Sequence, residues 1–231
     1  MKRILITRPE PGGTQTAARV TALGLFPILA PVLSIVSRQV HVPDHVAITL
    51  LTSQNAVAAC PTFLHNRPVF VVGAATANRA TAAGFSRVFN ADGNGIALAN
   101  LVSDKLSPVD GSLFLPVGQG QGMALAASLR ERGFHVIRRV AYTATGVSVL
   151  PEAVTLYLRQ RQLAAAMFFS GETSRQFVRL LRAAELAETV RNVEAVSISE
   201  RAAVALRFLP WRRISVAAKP NQDAMLVLLN D

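Results

Sequence analysis

Six short segments carry the groups with which this chain could do chemistry: Thr7-Arg8, Thr52-Ser53, Gly73-Ala74 with Thr76, Gly118-Gln119-Gly120, Ser170-Gly171 and Ser199. Each follows a short apolar run and precedes a stretch with helical periodicity. Small hydroxyl residues and glycines at such tips expose main-chain N–H groups, and N–H groups at helix starts attract anions. Taken singly, any one of them reads equally as an ordinary N-cap or turn. Six of one kind predict a surface that holds carboxylates or phosphates through backbone donors.

Conventional catalytic sets are missing from the sequence. His41, His45, His65 and His135 lack ligand spacing, and no HxxxH or CxxC occurs, so no metal site is expected. There is no Gly-x-Ser-x-Gly elbow. Gly118, Gly120 and Gly122 follow a strand and open a helix, but they do not fit G-x-G-x-x-G, and no Walker lysine is present. The expectation is chemistry without metal, redox cofactor or covalent nucleophile.

Charge points the same way as the tips. With 24 Lys and Arg against 14 Asp and Glu the chain carries +10, which favours nucleic acid, phosphate or a polycarboxylate as partner. The basic residues are dispersed, with loose groups at Arg130, Arg132, Arg138 and Arg139 and at Arg207, Arg212 and Arg213. Only 6% of residues are aromatic, so stacking platforms are poorly supplied and nucleic acid is disfavoured. The uncharged stretch Leu23–Ser37 falls short of the roughly 20 residues of a membrane span and holds Pro27 and Pro31. The apolar run after Met1-Lys2-Arg3 is too short for a signal peptide. A single cysteine, Cys60, reads as a buried small residue and fits a reducing, cytoplasmic setting.

The elements that must position the tips alternate along the chain. Strands are expected at Ile4–Thr7, Phe26–Leu29, Ile48–Thr52, Val69–Val72, Val88–Asn90, Leu113–Pro116, Val136–Tyr142, Ala166–Phe169, Ala195–Ile198 and Arg213–Val216. Helices are expected at Thr14–Leu23, Gln54–Leu64, Ala75–Ala83, Gly95–Leu106, Gly122–Arg132, Pro151–Arg161, Thr173–Ala184, Glu200–Phe208 and Asn221–Leu229. Continuous apolar strands alternating with amphipathic helices mean parallel sheets covered on both faces, a doubly wound α/β fold. Such sheets bind ligands outside the carboxyl ends of their strands, where the six tips fall.

The chain also repeats itself. Ile4–Pro9, Ala17–Val20 and Gly24 echo without gaps in Leu113–Gly118, Ala126–Leu129 and Gly133. Leu51–Asn55 is echoed by Phe168–Glu172, and Val72–Ala77 by Ile198–Ala203. The order is A, B, A′, B′. With 231 residues there is room for two domains of about 100 residues each. Two similar lobes facing each other would leave a cleft between them.

Several of these segments, in this order, resemble uroporphyrinogen-III synthase. They are Ile4-Leu5-Ile6-Thr7-Arg8-Pro9, Pro31, Leu51–Val57, Val72–Ala77, Val140-Ala141-Tyr142 and Phe168-Phe169-Ser170, and together they cover essentially the whole chain. The resemblance implies a cofactor-free lyase that closes the linear tetrapyrrole hydroxymethylbilane to uroporphyrinogen III, inverting the last ring and losing water. It also implies a monomer. It implies a discontinuous arrangement as well, in which residues 1–34 plus 147–231 form one domain and 42–138 the other. Residues 35–41 and 139–146 would form a two-stranded ladder between them, around which the lobes close on substrate. Sequence alone equally permits a tandem A–B then A′–B′. Tyr142 matches the family's proposed acid, which helps the hydroxyl leave; an ordinary phenol, with a pKa of about 10, is protonated at pH 7. Packing at a domain hinge is the competing role for Tyr142. Arg201 and Ala202 stand where the family places a threonine pair, Ser199 replaces its glycine, and Gly122 takes the place of its usual arginine. These departures leave open a second reading, a non-catalytic two-lobed binder of anionic small molecules on the same scaffold.

Overall fold

The apolar runs Ile4-Leu5-Ile6 and Leu163–Phe168 lie side by side as parallel strands although roughly 160 residues separate them in the chain. That pairing organises the first of two sheets in this computed structural model, which describes residues 1–229. Asn230 and Asp231, the end of the expected 147–231 segment, lie outside the described residues. The strands are β1 (Arg3–Ile6), β2 (Phe26–Leu29), β3 (Leu33–Ser37), β4 (Val46–Leu51), β5 (Val69–Val71), β6 (Val88–Asn90), β7 (Ser112–Gly118), β8 (Val136–Gly146), β9 (Leu163–Phe168), β10 (Glu194–Ser197) and β11 (Arg213–Val216). The helices are α1 (Gly12–Ala22), α2 (Ala74–Ala82), α3 (Gly95–Lys105), α4 (Met123–Glu131), α5 (Glu152–Arg159), α6 (Gly171–Ala183), α7 (Glu200–Ala203) and α8 (Gln222–Val227).

One sheet runs β11-β10-β9-β1-β2 and the other β3-β8-β7-β4-β5-β6. Apart from β3, every strand runs parallel to its neighbours. The chain divides into two compact units, Met1–Ser34 with Thr145–Asp231 and Ile35–Ala144. The internal repeat explains the topology. β1 echoes β7, β9 echoes β4 and β10 echoes β5, so the order β11-β10-β9-β1-β2 matches β6-β5-β4-β7-β8 strand for strand. Unit A pairs with B′, and B pairs with A′. The glycines that end α1 and α4, Gly24 and Gly133, are equivalents in the repeat, and both sit in the left-handed region (φ +74° and +88°). A residue with a Cβ is strained there, so both copies keep glycine.

Burial follows the two-residue period of the strands. In the second unit Ile48 and Leu50 with Phe70, Leu113 and Leu115 face α3 and α4. Leu51, Val69, Val71 and Phe114 face the opposite layer with Ala80 and Phe85. In the first, Ile4, Ile6, Met167 and Val196 pack against Val20, Met225 and Leu226. On α6, Phe177 stacks on Trp211 with Phe168 edge-on. Each fully buried Leu or Phe contributes about 1.5–3 kcal/mol. Burial also pushes the Cys60 thiol up to about 12, leaving it a core residue. No helix among the described residues is long and apolar enough to cross a membrane.

Two helices differ from expectation. The helix expected over Gln54–Leu64 is two 3-10 segments, Gln54–Ala59 and Thr62–Leu64. Pro61 has no N–H to continue a helix and holds Cys60 extended, which splits the segment. The helix expected over Glu200–Phe208 is four residues of α7 followed by a 3-10 turn, Val204–Phe208. β8 runs on to Gly146, so the connector expected at 139–146 is a continuation of a sheet strand. Bonds from Arg38 N to Ala141 O and from Val147 N to Val32 O tie it to the other connector in antiparallel sense.

At the start of β10, Glu194 is enclosed and accepts hydrogen bonds from Ser215 Oγ (2.6 Å), Arg213 Nη2 (2.8 Å) and Arg212 Nη2 (3.1 Å). Burial alone would raise its pKa. The Ser215 hydroxyl and the two guanidiniums outweigh burial and hold the carboxyl below the usual range. A depressed folded pKa contributes stability above the unfolded value of about 4.3, and that stability is lost as pH falls through the folded value. Glu194→Ala is expected to lower stability by about 2 kcal/mol at pH 7. The gap from the parent should narrow in urea unfolding as pH falls below the ordinary carboxylate range; a pH-independent gap would show that the ion pairs carry none of it.

Candidate functional site

In a doubly wound sheet, ligands bind where successive crossovers leave in opposite directions. In the first unit that point lies between β1 and β9, and in the second between β4 and β7. Four of the six tips fall there: Thr7-Arg8 and Ser170-Gly171 at the first, Thr52-Ser53 and Gly118–Gly120 at the second.

At the β1/β9 point the hydroxyl of Thr7 is fully buried and donates to Met167 O (2.6 Å). It ties two strands together and is not turned to a ligand. Arg8, the next residue, is the charged group of this edge. Its Nη1 donates to Gln222 Oε1 (3.2 Å) and Thr16 Oγ1 (3.3 Å), and its guanidinium lies 4.3 Å from the Phe169 ring centroid. Gly12 makes room for it, since a Cβ there would collide with Arg8 Nε. Burial pushes the Arg8 pKa down to about 10, with Glu10 acting weakly in the other direction. Among the described residues no carboxylate forms an ion pair with Arg8. It is a partly buried, oriented cation.

The hydroxyls at the other tips serve their own helices. Ser170 Oγ caps α6 by accepting from Thr173 N (3.1 Å), Ser199 Oγ caps α7 through Ala202 N (3.3 Å), and Ser53 Oγ accepts from Asn55 N (3.2 Å). Gly171 lies beside the backbone of Arg201 and Ala202. Arg201 is exposed, whereas Ala202 is buried, as is Thr76, its counterpart in the repeat. Gly73 and Ala74 stand open at the start of α2.

At the β4/β7 point a cavity of about 410 Å³ is lined by Thr52, Val72, Gly93, Asn94 and Gln121, among others. Asn94 caps α3 through Ile96 N (2.9 Å) and Ala97 N (3.2 Å). Gly122, where the family carries arginine, has φ +76°, and a Cβ there would lie 2.6 Å from Val117 Cγ1. Tyr142 is 3% exposed, and its ring packs with Val42, Leu51, Ala56 and Val57. Its hydroxyl donates to Gln121 Oε1 (3.2 Å), and Gly118 leaves room for the ring, a Cβ there being 2.8 Å from Tyr142 Cε2. Gln121, Asn94 and Gln222 were not singled out from the sequence. Asn94 carried a legible signal, an Asn after Asp92-Gly93 opening a helix. Gln121 and Gln222 carried none.

Among the described residues no group of three or more His, Cys, Asp and Glu side chains converges. The edges instead present the partly buried Arg8 guanidinium, helix-start N–H groups and side-chain amides. The duplicated doubly wound sheets define a two-unit α/β protein. The chain belongs to the uroporphyrinogen-III synthase HemD family, whose model matches residues 14–227. Membership supports an enzymatic role of the lyase kind in tetrapyrrole biosynthesis.

Solved structures agree on the fold. The uroporphyrinogen-III synthetase of Helicobacter pylori 26695 superposes with a TM-score of 0.62 at 17% identity, covering 100% of this chain and 99% of that one. A mutant uroporphyrinogen III synthase of the extremely thermophilic bacterium Thermus thermophilus gives 0.51 at 18%, covering 100% and 96%. No curated protein matches the chain significantly.

Proposed function

We propose that the chain is a uroporphyrinogen-III synthase. It takes hydroxymethylbilane, a linear tetrapyrrole with eight carboxylates, and closes it to uroporphyrinogen III with inversion of ring D and loss of water. The match of the family model to residues 14–227 carries this reading. The site is chemically suited to it. Arg8 offers a carboxylate an oriented, partly buried charge, and the +10 balance draws in a polyanion. On this reading, main-chain N–H groups at tips such as Ser170-Gly171, Ser199, Gly73-Ala74 and Thr52-Ser53 would take further carboxylates.

The substrate's pyrroles supply the electrons. The hydroxyl on ring A leaves as water when a proton reaches it, and the substituted carbon of ring D attacks the resulting cation to give a spiro intermediate. Fragmentation and reclosure then give the inverted ring, and the closing carbon loses a proton as its pyrrole regains aromaticity. Uncatalysed closure gives the non-inverted isomer, so holding the chain in the reactive shape decides the product. Tyr142 is the group assigned to deliver the proton. The chain works as a cytoplasmic monomer and needs no cofactor.

The test is turnover of bilane generated from porphobilinogen by a deaminase. Bilane loss above the spontaneous rate, proportional to chain concentration and continuing far past one equivalent, is expected. Loss that stops at one equivalent, or bilane protected from closure, would instead identify a non-catalytic binder.

A further inference from the structure

Arg8 is held by neutral groups although two acids stand near it. Glu10 lies two residues on, and Asp223 adjoins Gln222, whose side chain Arg8 meets. Each acid is engaged elsewhere. Glu10 Oε2 accepts from Thr14 N (3.0 Å) and its Oε1 from Thr14 Oγ1 (3.0 Å), while Asp223 pairs with Arg19. Arg8 Nη1 instead donates to Gln222 Oε1 (3.2 Å) and Thr16 Oγ1 (3.3 Å), and the Thr16 hydroxyl donates in turn to Gly12 O (2.8 Å). Both acceptors therefore sit on one nitrogen. Among the described residues the hydrogen bonds of the guanidinium run from Nη1 alone, which leaves the N–H groups of Nε and Nη2 over. Glycine at position 12 makes room for that edge, since a Cβ there would stand 2.4 Å from Nε and 2.6 Å from Nη2. The side chain is half-buried and not sealed, so a ligand can reach it.

We propose that Gln222 is a positioning residue that holds Arg8 by Nη1 without neutralising it, and so sets the affinity of this edge for a carboxylate. The inference rests on the synthase reading and on Arg8 as a contact of its substrate. Gln222 keeps its bond to Nη1 in the complex, and the substrate carboxylate takes N–H groups of Nε and Nη2. The neutrality of the amide is the essential property. A carboxylate of the same shape at position 222 would form a charge-assisted bond about twice as strong and cancel the charge that draws the substrate. A hydrocarbon there would leave Nη1 with one acceptor, and binding would then have to immobilise a looser side chain. Both changes weaken binding, but they move stability in opposite directions, because only the first gives the buried cation an ionic partner.

The experiment sets Gln222→Glu and Gln222→Leu in the parent and in Arg8→Met, reading KM and kcat with generated hydroxymethylbilane and the melting temperature without ligand. Gln222→Glu is expected to raise KM about tenfold, with kcat affected less, and to melt above the parent. Gln222→Leu is expected to raise KM about threefold and to melt no higher than the parent. In the Arg8→Met background neither change should raise KM further, and Gln222→Glu should no longer raise the melting temperature. A Gln222→Glu variant that binds as well as the parent would overturn the proposal and leave Gln222 a structural tether of α8. Equal rises in KM with and without the Arg8 guanidinium would overturn it too. Parental KM in Arg8→Met would remove the Arg8 contact and the positioning role together while the synthase activity stands. Absence of turnover in the parent would strike the synthase reading itself. Uroporphyrinogen III, added without oxygen, ranks the same affinities through its melting shifts, so the role of Gln222 is decided in that case as well.

Discussion

Replacing Arg8 by Met is expected to raise the KM for hydroxymethylbilane about 10–100-fold while leaving the protein as stable as the parent or more so. The two effects share one cause. The guanidinium sits among Gly12, Thr16, Phe169 and Gln222 with neutral hydrogen-bond acceptors, and burial has pushed its pKa down to about 10. A base whose folded pKa lies below its unfolded value opposes folding while charged, and that penalty fades only as pH rises through about 10. At neutral pH the free protein therefore carries a partly buried charge whose side-chain acceptors, Thr16 and Gln222, are neutral. On the proposed function a carboxylate of the substrate would supply an ionic partner, and a hydrogen bond to a charged group is worth about 1.5–3 kcal/mol. Met fills the same space without the charge, so binding loses that interaction and folding loses the penalty. Melting temperature with and without an octacarboxylate porphyrinogen separates the two. The parent should gain on binding and Arg8→Met should gain much less; equal shifts would remove Arg8 from the site.

Tyr142→Phe carries the largest expected effect on turnover, a fall in kcat of about 100-fold or more. The substitution keeps the ring that packs with Val42, Leu51, Ala56 and Val57, so the core is retained. It removes the hydroxyl and its bond to Gln121, a loss of about 1 kcal/mol in stability. The kinetic and structural consequences are thus well separated. A variant that melts near the parent yet turns over slowly assigns the hydroxyl to the chemistry. One that turns over at the parental rate leaves Tyr142 as a packing residue.

Much of the fold is legible in the sequence because it is written in local periods. Leu113–Val117 is a continuous apolar run, and β7 is buried along its length. The glycines at 24 and 133 end their helices where the repeat places them. Ser53, Ser170 and Ser199 announce helix starts by residue type, and each caps as that type does. The site is less legible because its geometry comes from residues far apart in the chain. Thr7 has the look of a ligand-facing hydroxyl, but its partner is a carbonyl of β9, 160 residues away. Arg8 acquires its character from Gln222, 214 residues on, and from Phe169. Gln121 meets Tyr142 through the parallel pairing of β7 with β8 and the register shift at Val117/Gly118, and no local pattern records that shift. Pro61, by contrast, was a local signal whose effect on the Gln54–Leu64 helix the apolar pattern masked.

The loss of the second-copy hydroxyls bears directly on whether the chain is a catalyst. Ala202 lies inside the fold, as does its first-copy counterpart Thr76. On the proposed function, anion binding in this unit would fall to main-chain donors and to Arg8, neither of which depends on the missing threonines.

The isomer composition of the cyclised product tests the central claim most directly. With bilane formed continuously from porphobilinogen and the chain present at catalytic concentration, uroporphyrinogen III should predominate and its share should rise with chain concentration. Exclusive formation of isomer I at every chain concentration would contradict the synthase reading.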